Sequence, residues 1–154
     1  MTEHPQTPTP AGLIRRLLAL VYDAFLIFAI VLAYAGLVLA IRVMVTSAEA
    51  ATQPFTGPAA AVYLFGLWLG PVLFYCICWR RSGQTLGMKS WRLKLVTVDH
   101  ETPSWSRCLL RCVGAHVSLI VVGLGYLWCL FGDKNCWHDL WSDTRVVVLP
   151  KSGK

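Results

Sequence analysis

Charge is scarce in this sequence, and acidic charge scarcest. Asp, Glu, Lys and Arg make up 14% of the 154 residues, against ~25% in soluble domains. That argues against a soluble enzyme, and the 56% hydrophobic content excludes a disordered tail protein. The chain also lacks a C-x-x-C pair, a P-loop and a G-x-G-x-x-G fingerprint. Gly83-Gln84-Thr85-Leu86-Gly87 has the wrong spacing for either glycine motif. No serine or cysteine nucleophile stands with a base and an orienting group at usable spacing. No catalytic residue and no cofactor are therefore expected, and the chain reads as a non-enzyme. Residues 46–58 lack Lys and Arg altogether, with Glu49 their only charge.

The apolar residues that are present fall in three blocks, too many for one small globular core. Residues 17–41 contain one charge, Asp23, and residues 59–79 contain none. A hydrocarbon core of about 30 Å needs about 20 helical residues, so both blocks can span, the second with a bend at Gly70-Pro71. Ala48-Glu49-Ala50 imitates a signal cleavage site. The preceding run is far longer than a signal h-region, and Arg42 falls between, so no cleavage is expected. Arg15 and Arg16 precede the first block. Arg80, Arg81, Lys89, Arg92, Lys94 and Arg107 follow the second. By the positive-inside rule the N-terminus and the long middle loop are cytoplasmic. The third block, within residues 104–131, is followed by Lys134, Arg145, Lys151 and Lys154. It is too short to cross twice, and a single crossing would put those cations outside. A broken hairpin turning near Gly123-Leu124-Gly125, with a cytoplasmic C-terminus, satisfies both constraints.

Between the blocks, residues 91–98 alternate with period two, a short strand, and residues 144–149 are β-branched and able to pair with it. Ser104 is placed to cap the following helix. The expected fold is an all-α integral membrane protein with two full transmembrane helices, a third broken or re-entrant segment and a short cytoplasmic two-stranded β element. Residues 1–10 read as a disordered tail, 11–149 as the membrane domain and 150–154 as a C-terminal tail. The formal net charge of +6 then reflects cytoplasmic flanks and anionic lipid, not nucleic acid.

Asp23 is the sharpest chemical signal. A carboxylate within a span costs ~2.5–3.5 kcal/mol at the centre and less near an interface. Such a residue faces a bundle interior or a wet cavity, either as an ion or proton site or as a structural acid. Arg16 shares its helical face but leans away from it. Arg16 is expected to snorkel to phosphate or to bind the cytoplasmic sheet. The expected partner of Asp23 is Arg111, just inside the third block. His138-Asp139 could be an acid–base pair, but without a nucleophile it reads as an interfacial anchor whose acid binds Arg16 or a helix N-terminus. Cys108, Cys112 and His116 share a helix face that could suit a soft metal. No second cluster completes four ligands, so no metal is assigned.

Arg15 to Asp23, Ser82 to Lys89, Arg107 to Arg111 and His138 to Val147, in that order, together resemble the RDD family of bacterial membrane proteins. Arg15-Arg16-Leu17-Leu18-Ala19 followed by Asp23 resembles its opening. Ser82 to Lys89 resembles its G-Q-T-x-G-K segment, and Arg107-Cys108-Leu109-Leu110-Arg111 its R-x-x-x-R stretch. His138-Asp139-Leu140 through Thr144-Arg145-Val146-Val147 resembles its closing H-D-x-x-x-x-T-x-V element. The resemblance implies that Arg16 is the family arginine, Asp23 its first aspartate and Asp139 its second. Met88 before Lys89, and Leu140 after Asp139, depart from the basic residues often found there. That weakens an anion-binding role. Family members are suggested to help transport unidentified ligands, and sodium–proton exchange has been proposed for some.

Two functions remain open for a multi-pass protein of the bacterial inner membrane. One is transport of a small ligand or cation/proton exchange through Asp23, where a chain this small requires a homo-oligomer to form a pore. The other is a scaffold, assembly or lipid-interacting module in which Arg16, Asp23, Arg111 and Asp139 form a structural charge network. The bilayer is the partner either way.

Overall fold

The computed structural model describes residues 9–131 and 134–150. The elements run β1 (Thr9–Pro10), α1 (Leu13–Val45), α2 (Ala48–Thr52), α3 (Gly57–Ser82), α4 (Leu86–Ser90), β2 (Leu93–Thr97) and α5 (Trp105–Ile120). They continue with α6 (Leu124–Leu127), a 3₁₀ turn (Trp128–Leu130), α7 (Trp137–Trp141) and β3 (Thr144–Val148). The expected tail at residues 1–8 and 151–154 lies outside the described residues.

Two helices, α1 and α3, are long and apolar enough to cross a membrane. α5 and the Leu124–Leu130 segment, bent by 109° at their junction, make a third span or a re-entrant loop. α3 runs through Pro71 without interruption. The break in the third segment falls at residues 121–123, as the glycines there predict. Gly123 adopts a φ of +75°, a conformation that glycine reaches without Cβ penalty. Large apolar side chains on these helices, including Phe25, Phe28, Leu119 and Ile120, are exposed. α5 is ordered the opposite way from a soluble amphipathic helix. Its buried stripe is Cys108, Arg111, Cys112, Gly114 and Ser118, while Trp105, Leu109 and Val113 face outward. Polar groups turned inward and apolar groups outward is the arrangement an apolar surrounding favours.

The chain forms two compact units. One holds the residues up to Asp23 and those from Tyr75 onward, and the other is Ala24–Phe74. Within Ala24–Phe74, Tyr34 stacks on Tyr63, which stacks on Phe55. Gly66 lies against the Tyr34 ring where no Cβ would fit. Arg42 donates to the Gln53 and Ala50 carbonyls at 2.8 and 2.9 Å and lies 4.2 Å from the Phe55 ring centroid. These contacts close the loop between the two long helices.

The other unit is built on a three-stranded antiparallel sheet of order β1-β3-β2. The register pairs Leu93 with Val148 and Thr97 with Thr144. Leu93, Leu95 and Thr97 are buried on one face, as the period-two pattern predicts, and Val96, Val146 and Val147 are buried as well. Burying such an aliphatic side chain contributes about 1.5–3 kcal/mol. The sheet has one strand more than expected. Thr9 and Pro10, assigned from the sequence to the tail, pair with Val148 and Val147. Proline lacks a backbone donor and is tolerated in a strand at a sheet edge, which is where β1 lies. Ser104 caps α5 as expected, accepting from the Arg107 N–H.

A candidate charge-network site in the sheet unit

The site lies in the sheet unit, and its centre is Asp139, in the first turn of the short helix α7. Its carboxylate side chain is 0% exposed. Arg16 of α1 forms an ion pair with Oδ2 and Arg111 of α5 with Oδ1, through guanidinium side chains only 9% and 6% exposed. Oδ2 also accepts from the Cys136 N–H at 2.9 Å, which fixes the carboxylate to its own helix start. One acid therefore joins three helices.

The remaining groups orient the two arginines. Arg16 Nε donates to the Ala11 carbonyl at 3.1 Å, Nη1 to Cys136 Sγ at 3.3 Å, and Nη2 to the Lys134 carbonyl at 2.9 Å. Arg111 Nη1 also donates to Thr144 Oγ1 at 2.7 Å. Thr144 Oγ1 in turn lies 2.7 Å from Ser142 Oγ, and Ser142 Oγ donates to the His138 carbonyl at 2.5 Å. The Arg111 guanidinium lies 5.4 Å from the Trp79 ring centroid. Gly114 gives α5 room to approach α7, since a Cβ there would meet Trp141 and His138.

Electrostatics fix the protonation states. Burial alone would raise the Asp139 pKa, but the guanidiniums of Arg111 and Arg16 outweigh burial and hold the carboxyl well below the usual carboxylate range. Burial, reinforced by Arg111, pushes the His138 imidazole down to about 3 against the pull of Asp139. His138 is neutral at physiological pH, with Nε2 3.8 Å from Asp139 Oδ1 and its ring packed on Tyr126 at 4.8 Å. Burial pushes the Cys136 thiol up to about 12 despite Arg16, so Cys136 is a thiol and not a thiolate. Asp139, carrying −1, thus faces two cations.

Asp23 lies apart from these ion pairs. It is 2% exposed. Its Oδ2 accepts from the Thr85 hydroxyl at 2.5 Å and its Oδ1 from the Gly87 N–H at 2.9 Å. Thr85 is the N-cap of α4 and also accepts from the Met88 N–H at 3.1 Å. Gly87 packs so closely on α1 that a Cβ would stand 2.2 Å from the Ala19 carbonyl oxygen. The Gln84-Thr85-Leu86-Gly87 stretch is thus a clamp that holds a carboxylate. Thr85 supplies the hydroxyl, and Gly87 permits the close approach of its backbone donor. Gln84 Nε2 donates to the Leu93 carbonyl at 2.6 Å, joining the clamp to the sheet.

Arg16, Arg111, His138 and Asp139 are thus brought together, and Asp23 is not part of their ion pairs. The expected Asp23–Arg111 pair is absent. Among the described residues no cationic side chain lies within salt-bridge reach of Asp23, because Arg111 is engaged by Asp139. Arg16 does not snorkel away either; it reaches inward to Asp139, as the anchor reading of Asp139 allows. Thr85 and Gly87 lie in the G-Q-T-x-G-K stretch and Thr144 in the closing H-D-x-x-x-x-T-x-V element, but sequence reasoning assigned a site role to none of them, nor to Ser142 or Cys136. Cys108, Cys112 and His116 do not group as metal ligands among the described residues. The group whose donor atoms do converge, within 4.8 Å, is Cys136, His138 and Asp139. It suits a cation poorly, because an entering metal would stand beside two guanidiniums at a carboxylate already engaged on both oxygens.

No curated protein and no solved structure matches this chain. The model of the RDD family matches residues 10–143. That span takes in Arg16, Asp23, the α4 clamp, Arg111 and Asp139, and on it the chain belongs to the RDD family.

Proposed function

We propose that this protein is a multi-pass component of the bacterial inner membrane with both termini cytoplasmic. We propose further that it acts there as a non-enzymatic module, a scaffold, assembly or lipid-interacting element, and not as a transporter. Support comes chiefly from one observation. Asp139 has each carboxylate oxygen in contact with a different arginine, from α1 and from α5. A carboxylate held between two guanidiniums has little capacity left for cargo, and its role is to hold helices together. Asp23 reads in the same way, with both oxygens satisfied by α4.

The test compares Asp139→Asn with the triple substitution Arg16→Met, Arg111→Met and Asp139→Leu. Removing the acid alone leaves two buried cations unpaired, at about 3–5 kcal/mol for a broken buried pair. Replacing the whole network with apolar side chains is about neutral. We expect Asp139→Asn to yield little monodisperse protein in detergent and the triple variant to restore it. Wild-type yield and melting temperature from Asp139→Asn would overturn the structural reading.

A second reading, cation or proton exchange at Asp23, draws support from the absence of a cationic partner for Asp23 among the described residues. A neighbouring arginine would have opposed protonation there. On this reading the conducting unit is a homo-oligomer, because one chain of this size is too small to enclose a pathway.

A further inference from the structure

Arg16 and Arg111 contribute +2 around the single negative charge of Asp139, so the cluster carries one uncompensated positive charge among the described residues. Isolated buried charge is costly unless paired. The excess falls on one side chain. Arg16 uses Nε and both terminal nitrogens on Ala11, Asp139, Cys136 and Lys134. Arg111 uses only Nη1, on Thr144 and Asp139. Its Nε and Nη2 have no acceptor among the described residues and, unlike the Trp79 indole N–H, are not fully buried, so a ligand can reach them. The same place holds a second unfilled donor. The Trp79 indole N–H is buried without a partner, and its ring lies 5.4 Å from the Arg111 guanidinium. His138 Nδ1 is buried and unpartnered too.

Unfilled donors beside an uncompensated cation call for an acceptor with one negative charge. A phosphate oxyanion meets that need. It offers several acceptor oxygens to the guanidinium edge and the indole N–H, and a phosphodiester carries a single charge. Trp79 stands in the last turn of an apolar helix, next to Arg80 and Arg81, at the level where phosphate headgroups lie if α3 spans a bilayer. We propose that Arg111 and Trp79 form a binding site for a singly charged phosphate group, supplied by a phospholipid headgroup or by free phosphate. This goes beyond the structural role of Asp139, because it concerns the donors that Asp139 leaves unused. It also stands independently of whether Asp23 moves cations.

The test uses the full chain, purified and delipidated in a non-ionic detergent. It is titrated in separate arms with inorganic phosphate and with short-chain phosphatidylglycerol, and dissociation constants are read from the shift in thermal unfolding. Trp79→Phe keeps a ring and removes the N–H. Trp105→Phe, at an exposed position on the outward face of α5, is the control. Saturable binding that weakens about tenfold in Trp79→Phe and is unchanged in Trp105→Phe supports the site, since a hydrogen bond to a charged group is worth about that factor. Binding by the lipid alone names the headgroup as the source, and binding by phosphate in both forms names the oxyanion itself. Arg111→Lys, which keeps the charge but loses the fork, weakens binding in the same arm. No saturable binding in either arm overturns the proposal, as does binding that Trp79→Phe and Arg111→Lys leave untouched.

Discussion

Substituting alanine for Gly87 probes the contact between α1 and α4 directly. The new Cβ would stand 2.2 Å from the Ala19 carbonyl oxygen, 3.0 Å from the Ala19 carbonyl carbon and 2.9 Å from Asp23 Oδ1. An ordinary carbon–oxygen contact is about 3.3 Å, so the overlap with Ala19 is about 1 Å. Its other party is helix backbone and cannot rotate away. α4 must therefore retreat by about that distance, stretching the 2.9 Å bond from the Gly87 N–H to Asp23 beyond hydrogen-bonding range. Losing a hydrogen bond to a charged group costs about 1.5–3 kcal/mol, and overpacking adds about 1–3 kcal/mol. A combined loss of about 3–5 kcal/mol lowers the melting temperature by about 10 °C for a chain of this size. Gly36→Ala is the internal control. It sits inside α1 with nothing within 4 Å of a Cβ, and removing a helical glycine stabilises by about 0.5–1 kcal/mol. Both variants are measured by thermal unfolding in the same detergent. Equal melting temperatures for Gly87→Ala and wild type, or an equal fall in both variants, would refute the close-contact account.

Two further predictions concern protonation and topology. The His138 pKa is lowered to about 3 in the fold from about 6.5 when unfolded. The unfolded chain therefore binds more protons between those values, and stability contributed by neutral His138 is lost as pH falls from about 6.5 towards 3. Melting temperature should drop over that range, by up to a few kcal/mol in stability, and the slope should flatten in His138→Phe. An unchanged slope would mean that His138 is not buried neutral. A periplasm-active reporter fused after Lys154 should be inactive, whereas one inserted within residues 46–58 should be active; the reverse pattern would overturn the proposed orientation.

Much of the fold was legible because it rests on period and composition. Leu93, Leu95 and Thr97 alternate with Arg92, Lys94, Val96 and Val98, and the strand is where that period of two predicts. The turn at Gly123 and the Ser104 cap follow from local residue chemistry. The partners of Asp23 were not legible. Intramembrane acids commonly pair with cations, and Arg111 is the cation that sequence position favours. The donors are instead a hydroxyl and a backbone N–H, and every residue except proline has a backbone N–H. The Arg16–Asp139 pair joins residues 123 positions apart, a separation that no periodicity encodes. β1 was missed because three prolines in residues 1–10 read as tail, and only the edge of β3 gives Thr9 and Pro10 a partner.

The most direct test of a structural role for the charges is proton-gradient dissipation in everted vesicles on adding sodium, potassium or lithium. Wild type and Asp23→Asn are compared at matched protein levels. If the charges are structural, there is no dissipation beyond that of vesicles lacking the protein, with either chain and any of the three cations. Cation-dependent dissipation by the wild type that Asp23→Asn abolishes would contradict it and place Asp23 in a transport site.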